Sequence, residues 1–153
     1  MVRILWAGKT RDPLLSDLTQ RYVERIRHYA PFRLEEIAAG RGKDTARQEG
    51  EKFLSRIPEG ATVIALDEGG KQMTSEGFAS WLGGLLSGGT PEIAFILGGH
   101  EGLAPGVLAR AGKKLSLSSM TMTHEMARVL FVEQLYRAFT ILRGEKYHHG
   151  STA

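Results

Sequence analysis

Residues 92–103 are EIAFILGGHEGL, an apolar run followed at once by a glycine-rich loop. An unbroken apolar run bounded by glycine is typical of a strand that is buried on both faces, as in parallel sheets. Glycines let the backbone approach a ligand closely, and ligands of parallel sheets bind beyond the carboxyl ends of the strands. The segment therefore predicts a buried strand that leads into a ligand-binding loop. A purely structural turn is the alternative.

Strand-like and helix-like segments alternate on both sides of this segment. Further strands are predicted over residues 2–7, 32–37, 62–66 and 114–117. Helices are predicted from Asp12-Pro13 to a breaker at Pro31, over 44–56 with Asp44 as a cap, from Ser75 to Gly88, over 105–111 and over 124–143. Asp67-Glu68-Gly69-Gly70 is interpreted as the turn that closes the third strand, and its carboxylates as solvated rather than catalytic. The pattern predicts one α/β domain over 1–153, with a mostly parallel sheet flanked by helices.

Composition excludes several classes of function. The 153 residues contain no cysteine, which excludes disulfide scaffolds, thiol catalysis, iron–sulfur clusters and cysteine zinc sites. None of the five histidines pairs with another at His-x-x-x-His spacing, so we expect no metal site. Apolar runs are too short to span a bilayer and no signal-peptide pattern is present, so we expect a cytoplasmic protein without a membrane partner. The net charge of +3 is compatible with nucleic-acid binding.

A second unusual segment, residues 115–125, is LSLSSMTMTHE. Its small hydroxyl residues and methionines follow neither strand alternation nor helical periodicity. Such a segment suits a loop whose backbone hydrogen-bonds a ligand while apolar side chains shape the pocket. Alternatively, Thr123 simply caps the last helix.

The last helix carries two apolar sides. The stripe expected to face the core comprises Phe131, Leu135, Ala138, Phe139 and Leu142. Nearly opposite lie Met126, Leu130 and Ile141. A helix of this kind packs against a second partner, so the pattern favours a homodimer. The alternative is a helix enclosed within its own domain.

Three segments together resemble a known family: LGGHEGL at 97–103, LSLS at 115–118 through Thr123-His124, and RVL at 128–130 with EQLYRA at 133–138. Tyr147-His148 completes the pattern. The chain resembles the RlmH family of SPOUT-class enzymes, which methylate N3 of a pseudouridine in the helix 69 region of 23S rRNA. The resemblance implies a C-terminal deep trefoil knot, S-adenosylmethionine as methyl donor, a homodimer, and the assembled ribosome as substrate.

The resemblance also implies roles for individual residues. The residues expected to contact S-adenosylmethionine are Leu66, Gly99, Ser118, Ser119, Met120, Thr121, Met122 and Thr123. Candidates for accepting or orienting the N3 proton are Glu101, His124 and His148. Candidates for RNA contact are Arg128, Arg137, Tyr147 and His148, although Glu133 and Arg137 are also spaced for an ion pair.

Two positions depart from the family pattern. Thr123 stands where relatives usually carry proline, and His149 stands where they usually carry arginine or lysine. The first departure predicts a different local backbone, and the second predicts weaker or more pH-dependent RNA binding. Two alternatives remain: a SPOUT-class enzyme that acts on transfer RNA or another rRNA position, and a non-catalytic dimer that binds RNA or a nucleotide.

Overall fold

The computed structural model describes residues 1–149, and residues 150–153, which the one-domain prediction includes, lie outside the described residues. The strands are β1 (Val2–Ala7), β2 (Phe32–Ile37), β3 (Thr62–Gln72), β4 (Ile93–Leu97) and β5 (Lys113–Ser116). The helices are α1 (Pro13–Ile26), α2 (Thr45–Arg56), α3 (Ser75–Ser87), α4 (Pro105–Arg110) and α5 (His124–Leu142). Every predicted strand and helix is present.

All five strands are parallel and form one sheet in the order β2-β1-β4-β3-β5. The central strands β1 and β4 are buried along their whole length. This confirms the predicted α/β fold with a parallel sheet, and it explains the unbroken apolar run of residues 93–97.

Helices cover both faces of the sheet. On one face Ile4 and Trp6 of β1 pack with α1, α3 and α5, and on the other Leu5 of β1 packs with Phe53 of α2 and Val107 of α4. The alternation along β1 follows from the two-residue period of a strand. The sheet is therefore the middle layer of three.

β3 differs from the prediction, because it continues past Leu66 to Gln72. Residues 67–70 leave the ladder, and pairing resumes when Lys71 meets Leu115, the residue that also pairs with Leu66. A side chain at Gly70 would place its Cβ 2.7 Å from the Leu115 nitrogen, so this close return requires glycine. The predicted closing turn is thus an irregularity inside a longer strand.

One of the two aspartate caps is confirmed. Asp12 accepts hydrogen bonds from the Leu14 and Leu15 amides at 2.9 and 3.3 Å, with Pro13 at the start of α1. The predicted cap at Asp44 is wrong, since this residue has φ 59° and its side chain makes no capping hydrogen bond to α2.

α5 has the expected core face, with Phe131, Leu135, Ala138 and Phe139 all buried. The placement of Leu142 in that stripe is wrong, because it lies at the end of the helix and is 43% exposed. On the other side, Met126 and Leu130 are exposed as predicted. The placement of Ile141 with them is wrong, because it is half-buried and packs against the core. Within the described part of the chain, no helix is long and apolar enough to cross a membrane.

Candidate active site

A cavity of about 760 Å³ lies at the carboxyl edge of β3, β4 and β5. This size lies within the usual range for small-molecule sites, roughly 300–1,000 Å³. Its walls come from the ends of the three strands, the loop that follows each of them, and the first turn of α5. The residues that line it are Leu66, Asp67, Glu68, Leu97, Gly98, Gly99, His100, Gly102, Leu103, Leu115, Ser116, Leu117, Ser118, Met120, Thr121, Met122, Thr123, His124 and Ala127.

The glycine loop after β4 turns back sharply on itself. The Gly102 amide donates to the Gly99 carbonyl at 3.1 Å, and Gly102 has φ +76°, a conformation that favours glycine. A Cβ at Gly98 would lie 2.6 Å from the Gly102 carbonyl carbon. The loop can therefore close only without a side chain at position 98, and its backbone forms part of the cavity wall.

The loop after β5 is held by its own hydroxyl groups. The Met120 amide donates to Ser118 Oγ at 2.9 Å, and Ser116 Oγ donates to the Ser118 carbonyl at 3.0 Å. Thr123 Oγ1 accepts from the Met126 amide at 3.2 Å, so Thr123 does cap α5. Thr123 has φ −62°, a value that proline also adopts. The predicted difference in local backbone from the family pattern stays a prediction.

The structure places most of the predicted donor-binding residues on one cavity. Leu66, Gly99, Ser118 and residues 120–123 all line it. Ser119 is exposed and does not line it. Asp67 and Glu68 were not among the predicted binding residues. They lie in the irregular part of β3 and line the cavity. Their place in the sequence could have identified them, because they follow a predicted strand whose carboxyl end lies at the same edge of the sheet as the glycine loop.

The three candidates for handling a proton lie in different places. Only His124 lines the cavity; Glu101 is 60% exposed on the glycine loop, and His148 lies against the side of α5. Burial lowers the pKa of His124, and the nearby Arg128 charge lowers it further. The imidazole is consequently neutral at neutral pH and able to accept a proton.

Glu125, beside His124, fastens the start of α5 to the segment after β1. Its two carboxylate oxygens accept from the Arg11 and Asp12 amides at 2.9 and 3.1 Å. These two hydrogen bonds lower the pKa of Glu125.

Arg128 corrects one prediction. The side chain is fully buried, lies over the Trp6 ring, and donates to the Ala7 and Gly8 carbonyls and to Thr10 Oγ1 at 2.6 to 3.1 Å. A phosphate has no access to a buried guanidinium that already binds the backbone. The geometry therefore gives Arg128 a structural role, which conflicts with the expected RNA contact.

Arg137 lies near the other end of α5 and holds the tail. It pairs with Glu133 at 2.6 Å, contacts His148 Nδ1 at 3.0 Å, and lies over the Tyr147 ring at 4.8 Å. The spacing-based ion pair is thus confirmed. Tyr147 donates to Glu133, and His148 Nε2 lies 2.8 Å from Glu76. The tail is folded back against α5 and α3.

Glu49 of α2 is a buried residue that sequence reasoning missed. Its carboxylate accepts from the Gly40 amide at 3.0 Å, and a Cβ at Gly99 would meet it at 3.3 Å. The carboxylate therefore holds the Gly40 amide of the loop before α2 and lies close to Gly99 of the glycine loop. Across residues 1–149, no cluster of three or more histidine or acidic side chains has the geometry to hold a metal ion.

Comparison with known proteins places this geometry in a family. The family described as "predicted SPOUT methyltransferase" matches residues 1–148. A relative from Pelobacter propionicus, named ribosomal RNA large subunit methyltransferase H, is 43% identical over 97% of this chain and 99% of its own length. A relative of the same name from Desulfotalea psychrophila is 44% identical over 95% and 97%.

A solved structure of a methylase family protein from Haemophilus influenzae shares the fold. It is 12% identical, with a TM-score of 0.54 over 99% of this chain and 72% of the other. The match over almost the whole chain, together with two relatives above 40% identity, shows that this protein belongs to the SPOUT methyltransferase family.

Proposed function

We propose that this protein transfers a methyl group from S-adenosylmethionine to N3 of a pseudouridine in the helix 69 region of 23S rRNA, within the assembled ribosome. The observation that carries the proposal is the similarity along nearly the full chain to relatives named ribosomal RNA large subunit methyltransferase H. The position of the cavity, at the carboxyl edge of a parallel sheet, supports a small-molecule donor there.

The cavity wall suits this donor. Gly98 and Gly99 place backbone without side chains in the cavity wall, and the loop at 116–123 supplies hydroxyls and peptide groups for polar contacts. Leu66, Leu97 and Leu117 supply apolar surface for the adenine ring. We propose that these groups hold the donor. Of the donor-binding residues implied by the resemblance, Ser119 alone does not line the cavity.

The negative charge in the cavity wall also suits a positively charged donor. When bound, S-adenosylmethionine supplies a methyl group on a positively charged sulfur. The carboxylates of Asp67 and Glu68 lie in the cavity wall, and negative charge there favours a cationic ligand over its neutral, demethylated product. The protein's main contribution is alignment, since the acceptor nitrogen and the methyl carbon must meet in line.

The acceptor N3 carries a proton that must leave. Of Glu101, His124 and His148, we propose His124 as the proton acceptor, because it lines the cavity and its lowered pKa keeps it neutral. Glu101 points to solvent and His148 is held by Arg137 and Glu76. We propose RNA contact for Arg137, Tyr147 and His148, because these side chains, unlike Arg128, are only partly buried.

We further propose a homodimer, the trefoil knot and a cytoplasmic location. Leu14 near the start of α1 and Met126 and Leu130 in the first two turns of α5 are exposed. Glu125 joins the starts of these two helices, so they offer apolar surface to a second copy. Membership of the SPOUT family supports the knot.

The test is methyl transfer from labelled S-adenosylmethionine to ribosomes that lack this methyl group. Free rRNA, transfer RNA and ribosomes lacking pseudouridine serve as controls. Label that enters 23S rRNA only in ribosomes containing pseudouridine supports the proposal. Label on transfer RNA, or transfer that does not require pseudouridine, would contradict it.

A further inference from the structure

A second cavity, of about 620 Å³, lies beside β5 at the open edge of the sheet. The end of β3, the start of β5 and the first turns of α3 form its walls. The lining residues are Lys71, Gln72, Met73, Thr74, Gly77, Trp81, Lys113 and Lys114. None of them lines the first cavity or takes part in the donor site proposed above. We call this cavity the lysine groove.

Positive charge in the lysine groove is not neutralised. Lys71, Lys113 and Lys114 are all exposed, and the lining contains no carboxylate. Among the ion pairs of residues 1–149, none involves any of these three lysines. A concave surface with one sign of charge concentrates the field and attracts a polyanion.

Trp81 adds an aromatic surface to this charge. It is half-buried at the groove wall, with its ring packed near Phe78 at 6.1 Å between centroids. The Lys113 ammonium lies 5.9 Å from the indole centroid. A basic groove with an aromatic ring is the combination that binds single-stranded nucleic acid, because phosphates pair with lysines while a base stacks on the ring.

The groove also adjoins the first cavity. Lys114 directly precedes Leu115, which lines the first cavity, and Leu115 pairs with both Leu66 and Lys71 across the β3 irregularity. The same two strands therefore run from one cavity to the other. A polynucleotide strand bound in the groove therefore lies on the same two strands that form part of the first cavity.

The geometry points to the lysine groove as the binding site for a single-stranded segment of the RNA substrate. Its phosphates lie against Lys71, Lys113 and Lys114, and one base stacks on Trp81. The identity of that RNA rests on the proposed function. The groove's preference for single-stranded RNA does not, since it follows from the lysines and the indole.

The experiment measures binding of fluorescein-labelled oligouridine to the full chain by anisotropy, over a series of salt concentrations. One variant carries Lys71→Ala, Lys113→Ala and Lys114→Ala together, and another carries Trp81→Ala. The matched control removes three exposed cations elsewhere, through Arg27→Ala, Arg47→Ala and Lys52→Ala. Circular dichroism and donor binding check that every variant is folded.

We expect the lysine variant to bind at least about tenfold more weakly, with a salt slope reduced by about 2, since each phosphate contact on a single strand contributes about 0.7. Trp81→Ala weakens binding about tenfold with an unchanged salt slope, because base stacking is not ionic. The control variant stays close to the wild type.

Equal losses in the lysine variant and the control would overturn the proposal, since they would show only a general charge effect. Wild-type affinity in the lysine variant, or displacement of oligouridine by polyglutamate, would overturn it too. Methyl transfer is measured separately. Lysine-dependent oligouridine binding without transfer to ribosomes would support the groove while contradicting the proposed acceptor.

Discussion

The two ends of α5 carry the same residue types in opposite environments. At the N-terminal end His124 lines the cavity and Arg128 is fully buried, with its guanidinium on backbone carbonyls. At the C-terminal end Arg137 is partly exposed, and it holds His148 of the tail. The difference shows that residue type alone does not assign function on this helix. The environment of each end indicates that the first forms part of the cavity proposed for the donor and the second positions the tail.

The sharpest test of this comparison replaces each of the two histidines in turn. His124→Asn is expected to lower methyl transfer about 100-fold, within the usual contribution of a general base, with a much smaller change in donor affinity. His148→Asn is expected to cost less than about tenfold. Because the pKa of His124 is lowered, wild-type transfer is expected to persist as pH falls through 6.5 and to decline only below it. A larger loss from His148→Asn would reverse the assignment.

Replacing Arg128 and Arg137 is expected to lower the stability of the protein by different amounts. Arg128→Met leaves buried carbonyls without their donor, so we expect the free energy of unfolding to fall by about 3 kcal/mol in urea titrations. Arg137→Met removes a partly exposed ion pair and is expected to cost below about 1 kcal/mol, with less effect at high salt. Equal losses would show that the two ends do not differ in burial as described.

The glycine loop tests whether donor binding belongs to the N-terminal end. Gly98→Ala places a Cβ against the Gly102 backbone, so donor affinity by calorimetry is expected to fall more than about tenfold. Gly84→Ala in α3 is the control, because a Cβ there meets nothing within 4 Å. That change is expected to leave affinity unaltered and to stabilise the helix by about 0.5–1 kcal/mol. Normal donor affinity in folded Gly98→Ala would remove the loop from the site.

Glu125 gives the smallest expected effect, on acid stability. Its folded pKa is lowered by the Arg11 and Asp12 amides, so its contribution is present above the unfolded pKa and is lost as pH falls through the folded pKa. Glu125→Gln keeps an acceptor oxygen but not the charge. Below the ordinary glutamate pKa of 4.5, we expect the wild type to lose about 1 kcal/mol more than the variant. Parallel pH curves would contradict this.

The fold was largely predictable because buried parallel strands and capped helices leave local signals. Residues 93–97 are apolar without a break, and Asp12-Pro13 marks the start of α1. The extension of β3 was not predictable, since Gly69-Gly70 is as typical of a turn as of a close approach to a neighbouring strand.

The site was predictable in part. Most of the residues implied by the resemblance line one cavity, but Arg128 required the structure. One signal was present: Arg128 lies three and seven residues before Phe131 and Leu135, on the face that packs into the core. From the sequence, a charge on that face could equally belong to an exposed residue. The burial of Arg128 depends on the Ala7 and Gly8 carbonyls and the Thr10 hydroxyl, which are far away in sequence.

The most direct test of the central claim is hydrogen–deuterium exchange on addition of S-adenosylmethionine. We predict that protection increases in residues 97–103 and 116–124 and does not change in residues 143–149 or 71–74. Protection confined to the tail or to the lysine groove would contradict the account, because the donor would then lie outside the cavity at the start of α5.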